Sequence, residues 1–428
     1  SITMKKVLSL AVMAACSMVS MAQNSVIYKA ESLMGENKTN EALELLKSSF
    51  DNPKTTKLAE VYNMAGRCAA QLFNPELMKA AQNQPLDTAT FILRLDQMVD
   101  YYTKSYVAEH TPNEKGKMPK AKFSDDNTKM LLGAQDYFFY AGVFENQNGN
   151  KAAARELFKK HLELPNNPAL TAQKDSLLKA KAESYSTTAY YMTILSYEQN
   201  KWAEILETVD RGMDKKEQLR DLFLMKIQAT KELHGDGPAY IEALKEAIMK
   251  VEDNTGFMES LISYYYDKED VAAADAMAND FVAKNPNSKN AWYMKGCVDL
   301  NLKKDFAAAR ESFEKSLSYD ADFVEANTNM AYSYINEVVK KRQEGAYTYA
   351  GKAKQVTGQQ AIAKYNKEME DIKSYYSKAL PYMEKVRSLA PDRSRLWAPA
   401  LQQIYFNLDR KAEANQMDDI MSANAKGQ

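Results

Sequence analysis

Apolar residues recur at helical spacing over nearly the whole chain, broken by short polar turns. Residues 258–286 set the pattern. Met258, Leu261, Ile262 and Tyr265 share one helix face, Asp267-Lys268-Glu269-Asp270 breaks it, and Ala274, Ala278 and Phe281 mark a second helix. Pro286 ends that helix, because proline lacks the N–H that would continue it. The next unit has Trp292, then Gly296, then Ala309 and Phe313, with a turn at Lys303-Lys304-Asp305 one residue longer than its predecessor's. From Ala274 to Ala309 is 35 residues. Upstream, Phe138, Gly142, Gly149, Ala154, Phe158 and Pro165 repeat the order; Ala42, Leu46 and Pro53 close a first pair that opens at Ser25. Downstream, Ala379, Met383 and Pro391 close one pair, and Trp397, Leu401 and Tyr405 begin the last. Weaker marks at Trp202, Ile205 and Val209, and at Ala243 and Ala247, bring the count to about seven to nine helix pairs.

These marks match W-x2-L-G-x2-Y, then A-x3-F, then P, over about 34 residues. On them the chain resembles the tetratricopeptide repeat (TPR) family, as an exported bacterial member, over nearly all of residues 24–424. The match is incomplete in places: Lys295 and Asp299 stand where Leu and Tyr are expected. The resemblance implies an all-α fold, a right-handed α-solenoid of stacked antiparallel helix pairs whose first helices line a concave face. Projected onto this sequence, that face carries Asn290, Tyr293, Cys297 and Leu300, then Glu325, Thr328, Asn329, Tyr332 and Ile335, then Arg395, Gln402 and Tyr405. Asn290, Tyr293, Thr328, Asn329, Tyr332, Arg395 and Gln402 are the expected partner-binding residues, a mixture suited to an extended peptide or a partner helix. TPR domains that clamp a chaperone's C-terminal carboxylate use a Lys and an Asn where this chain has Tyr293 and Cys297. Only Asn329 and Arg395 match further clamp positions, and Pro399 fills the last, so that subtype is not expected.

Two stretches break the period. Thr111–Asn127 is polar and carries Lys115, Lys117, Lys120 and Lys122; 344–372 holds no clean repeat, and helix is expected to resume from Gln359. Loops longer than about 12–15 residues are uncommon in compact domains and are either functional or solvated connectors.

The first residues read as an address. Lys5 and Lys6 precede an apolar run from Val7 to Ala15, and Ser20-Met21-Ala22 offers a small-residue cleavage site before Gln23. Residues 1–22 are therefore expected to be a secretory signal peptide, with 1–3 upstream of the start Met4, leaving 23–424 as the repeat solenoid. The apolar run is shorter than the ~20 residues that span a bilayer. Met13-Ala14-Ala15-Cys16 resembles a bacterial lipobox, which makes Cys16 a candidate lipidation site although Met stands where Leu is usual. Either route predicts export, to the periplasm or the outer membrane. The remaining cysteines, Cys68 and Cys297, are expected to be free buried thiols, since a bridge needs Cα atoms within about 7 Å.

Composition narrows the function. The chain has 428 residues, 45% hydrophobic and 26% charged, with 15 Gly, 12 Pro and a formal net charge of −1; that favours a helical body and gives no basic face for nucleic acid. His110, His161 and His234 each occur alone, away from metal-ligand spacing, and no nucleophile elbow or phosphate-binding glycine motif is present. No enzyme, cofactor or metal is therefore expected. The expected function is a non-catalytic scaffold of the bacterial cell envelope that binds peptides or partner proteins. A cell-surface glycan-binding helical-repeat protein is the alternative; a lipidated Cys16 would favour it, the 26 Tyr suit sugar stacking, protein recognition or packing between helices alike, and only 3 Trp weigh against it.

Overall fold

A computed structural model describes residues 25–427 apart from 53, 54 and 56, and apart from the side chains of 353 and 354. The expected signal peptide 1–22, with Cys16, and Pro53 lie outside the described residues. The described residues form helices and no strand, and no helix among them is long and apolar enough to cross a membrane. The chain divides into two compact units at Gly235–Asp236.

In the first unit the helix over 25–35 shares a core with Thr39–Lys47 through Ile27, Ala30, Ala42 and Leu46. Leu58–Ala81 pairs with Thr88–Glu109, Tyr137–Gln147 with Lys151–Glu163, and Ala182–Glu198 with Trp202–Thr208. Lys216–His234 closes it. In the second unit Pro238–Lys250 precedes four pairs: Thr255–Lys268 with Val271–Lys284, Lys289–Val298 with Phe306–Tyr319, Val324–Gln343 with Gln359–Leu389, and Ser394–Asn407 with Lys411–Lys426. The fold is all-α, a succession of antiparallel helix pairs within each unit.

The small and large marker residues hold each hairpin shut. Ala42, Ala154, Ala274, Ala309 and Ala379 have no exposed surface, and Leu46, Phe158, Phe281, Phe313 and Met383 on the same helices are buried with them. Glycine on the first helix makes room for the ring on the second. A Cβ added at Gly142 would stand 2.6 Å from Phe158 Cε1, one at Gly296 2.5 Å from Phe313 Cε1, and one at Gly66 2.9 Å from the ring of Tyr102.

The turns share one geometry. Asn37, Gly149, Asn200, Glu269, Lys304 and Asp409 all have positive φ, and each lies two residues before its second helix. After Asn37, Gly149, Asn200 and Asp409 the following N–H reaches back five residues to a carbonyl, from Lys38 to Leu33, Asn150 to Glu145, Lys201 to Ser196 and Arg410 to Tyr405. This is the left-handed cap that satisfies the last carbonyls of a helix. The longer turn is accommodated inside its helix: Asp299–Lys303 is one π-helical turn, and Asp305 N–H bonds Asp299 O six residues back. The π-helical turn takes up the one extra residue at the end of the first helix.

Both irregular stretches are pinned by a carboxylate. Glu109 accepts from the N–H groups of Lys122 (2.6 Å) and Phe123 (2.8 Å) and from Ser124 Oγ (2.6 Å). Glu368 accepts from the N–H groups of Thr348, Tyr349 and Ala350 at 2.8–2.9 Å. Burial works against its charge, but the three N–H groups outweigh it and hold its carboxyl below the usual range.

Candidate functional site

First helices of four successive pairs in the second unit line one cavity of about 310 Å³. Met258 and Ile262 supply one apolar wall and Leu396 the other; Tyr293 and Cys297 form the floor. Asn329 Nδ2 lies 2.9 Å from Tyr293 Oη and 3.5 Å from Cys297 Sγ, so the amide donates to the phenol and the sulfur together. Burial, with the Cys297 sulfur beside it, pushes the Tyr293 phenol up, and burial takes the Cys297 thiol to about 12. Both groups are neutral at physiological pH, and the thiol is no nucleophile there.

The charged groups stand around this floor. Glu325 accepts from Thr255 Oγ1 at 3.4 Å and lies 3.9 Å from Arg393 Nη1; its side chain keeps 22% exposure. Glu259 and Ser263 are exposed at the edge, and Asn301 is half-buried. Two carboxylates against one guanidinium make the cavity an acceptor of N–H donors and cations.

Of the residues projected from sequence, Tyr293, Thr328 and Asn329 line this cavity, as do Cys297 and Glu325. The other four expected partner-binding residues lie elsewhere. Asn290 donates to Ile248 O at 3.2 Å. Tyr332 packs half-buried against the core of the 331–417 helices. Arg395 donates to Asn424 O at 3.2 Å, on the final helix, and Gln402 is half-buried outside the cavity. Leu300 and Ile335 are core, and Tyr405 is buried and bonds Glu384. Sequence reasoning missed Thr255, Glu259 and Ser263 on the preceding first helix. The signal was available: Met258, Tyr293 and Thr328 follow one another at the same 35-residue spacing.

The histidines are placed by packing or at helix ends. His161 has no exposed surface, sets Nδ1 2.8 Å from Thr188 Oγ1 and packs beside Tyr185; burial lowers it to about 4, so it is neutral. His110 stacks on Tyr106, and His234 ends its helix. Among the described residues no group of His, Cys, Asp and Glu is arranged to hold a metal ion. Cys68 and Cys297 are free and buried.

No family model matches the sequence, and no curated protein matches it. Solved structures similar to the chain include a TPR repeats protein from Bacteroides fragilis, 17% identical, covering 67% of this chain and 98% of that one at a TM-score of 0.33. The C-terminal part of a TPR repeat-containing protein from Cytophaga hutchinsonii is 15% identical, covering 65% and 92% at 0.31. A circular tandem repeat protein is 10% identical, covering 97% and 93% at 0.27. The fold is carried by the hairpins described above and not by these likenesses.

Proposed function

We propose that the chain is a non-catalytic scaffold that is exported to the bacterial cell envelope and binds an extended segment of a partner protein. The observation that carries this reading is the cavity formed by four first helices. Its apolar walls suit a side chain, and its floor and rim offer acceptors to a backbone N–H. Glu325 and Glu259 favour a segment with a basic residue. The export part rests on the leader-like residues 4–22 and on the candidate lipidation site Cys16. The buried, neutral state of Tyr293, Cys297 and His161 supports a binding role over acid–base or nucleophilic work.

Photocrosslinking tests this. A photoreactive residue placed at Ser263, and another at Lys179 in the first unit, are crosslinked in native cells and the products identified by mass spectrometry. The expected result is a reproducible envelope protein caught from Ser263, not from Lys179, and lost in Glu325→Arg. Identical products from both positions, or capture indifferent to Glu325→Arg, would move the site elsewhere. The glycan reading has one observation in its favour: Tyr140 and Tyr191 expose 48% and 43% of their surface beside Phe139. Saturable binding on a glycan array, with no protein captured from Ser263, would favour it.

A further inference from the structure

The Thr111–Phe123 segment carries Lys115, Lys117, Lys120 and Lys122 against a single acid, Glu114. It is not a loose connector. Asn113 Oδ1 accepts from the N–H groups of Lys115 (3.0 Å) and Lys117 (2.9 Å), Asn113 N–H bonds Lys117 O, and Glu109 holds the far end. All four lysines are exposed, and none of their ammonium groups meets a carboxylate within ion-pair distance among the described residues. Elsewhere lysines stand against acids, as in Lys151–Glu198, Lys160–Asp96 and Lys289–Asp320. The loop displays fixed, unmatched positive charge.

Beneath it lies a cavity of about 590 Å³ in the first unit. Leu58, Val107, Pro119 and Phe123 give it an apolar wall, and Lys120 and Lys122 stand at its rim. Of the other charged groups there, Lys57 is a further cation, Lys104 pairs with Asp100 at 2.9 Å, the Glu109 oxygens are taken by the loop's own donors, and Glu60 remains against the lysines.

We infer that this cavity docks an acidic segment of a partner protein, with its carboxylates on Lys120 and Lys122 and an apolar side chain against Val107 and Phe123. The site lies in the other unit from the Tyr293–Asn329 cavity and does not rest on that reading. Charge complementarity selects an anion, and the recessed apolar wall selects a chain that can enter it over a flat surface. A formal net charge of −1 for the whole protein also gives no long-range attraction to an anionic bilayer.

The test is fluorescence anisotropy of the full chain with a fluorescein-labelled peptide of sequence Glu-Asp-Phe-Glu-Asp-Leu-Glu. Its counterpart with Gln and Asn at the acidic places is the control. Saturable binding is expected, weaker for the amide peptide and reduced by salt. The variant Lys120→Gln/Lys122→Gln should bind about tenfold more weakly, as expected for two rim charge pairs. The variant Lys179→Gln/Lys367→Gln changes the net charge equally at other exposed lysines and should bind as wild type. Circular dichroism checks that both variants keep the helical fold. Absent saturable binding, equal binding of the acidic and amide peptides, or equal loss in both variants overturns the inference. So does retention on phosphatidylserine vesicles that depends on Lys120 and Lys122 while the peptide fails to bind, because the anion recognised is then a lipid headgroup.

Discussion

At Gly296 one hydrogen atom decides how closely two helices approach. The Phe313 ring rests where a methyl group would sit, so alanine there must push the ring or the hairpin apart. Overpacking of this kind costs about 1–3 kcal/mol. Alanine also gains about 1 kcal/mol over glycine in helix propensity, which offsets part of the cost. Gly296→Ala is therefore expected to lower the urea midpoint, and Gly296→Ala combined with Phe313→Leu to lose less than the two single changes added together. Strict additivity would show that the ring and the glycine do not compete for the same space. This contact was legible in the sequence, because the glycine and the phenylalanine both stand at fixed places in the repeat. The donor relation of Asn329 to Tyr293 and Cys297 was not. The period fixes which face each residue occupies, whereas the partner of an amide depends on packing between neighbouring pairs. Arg395 illustrates the same limit: its helix was placed by Trp397, Leu401 and Tyr405, but its guanidinium turns to the carbonyl of Asn424.

Elements were read from their markers more fully than turns or insertions were. The second helices starting at Thr39, Lys151, Val271 and Phe306 each begin three residues before their Ala mark, and the helix Gln359–Leu389 starts at the residue from which the pattern resumes, well ahead of Ala379. The left-handed turn residues were only half legible. Asn37, Gly149, Asn200 and Asp409 are residue types that tolerate positive φ, while Glu269 and Lys304 are held there by the hairpin around them. The carboxylate pins were invisible, because no spacing rule links Glu368 to amides some twenty residues upstream. Glu368 makes a prediction for its loop. Its folded pKa lies below the ordinary value, so the stability it contributes is present above the ordinary carboxylate pKa and lost as pH falls through the folded one. Glu368→Gln is expected to speed amide hydrogen exchange at Thr348, Tyr349 and Ala350 at neutral pH. The wild-type protein should show the same loss of protection only on acidification. Unchanged exchange in the variant would mean that the loop is held by other contacts, such as Tyr347 Oη to Asp371 at 2.6 Å.

For the whole molecule, the repeat pattern runs through Gly235–Asp236 without marking a boundary, since helix periodicity reports each pair and not which pairs share a core. The local chemistry at that point does mark a break. Gly235 has φ +73°, and Pro238 is the first residue of the next helix, where its missing N–H costs nothing. The second unit also owns a core: Ile335, Tyr376, Met383, Trp397, Leu401 and Met417 are buried in one cluster contributed by its last two pairs. Repeat arrays draw their stability from neighbouring pairs, so a fragment that keeps every pair of a unit keeps its stabilising interfaces. Residues 236–428 expressed alone are therefore expected to be soluble and helical, and to melt cooperatively by circular dichroism. A fragment starting at 289 lacks the Thr255–Lys284 pair, exposes one face of the Lys289–Val298 helix, and should melt at a lower temperature. If 236–428 aggregates or melts without cooperativity, the division at Gly235 is one of contact density alone, and the second unit depends on the first to fold.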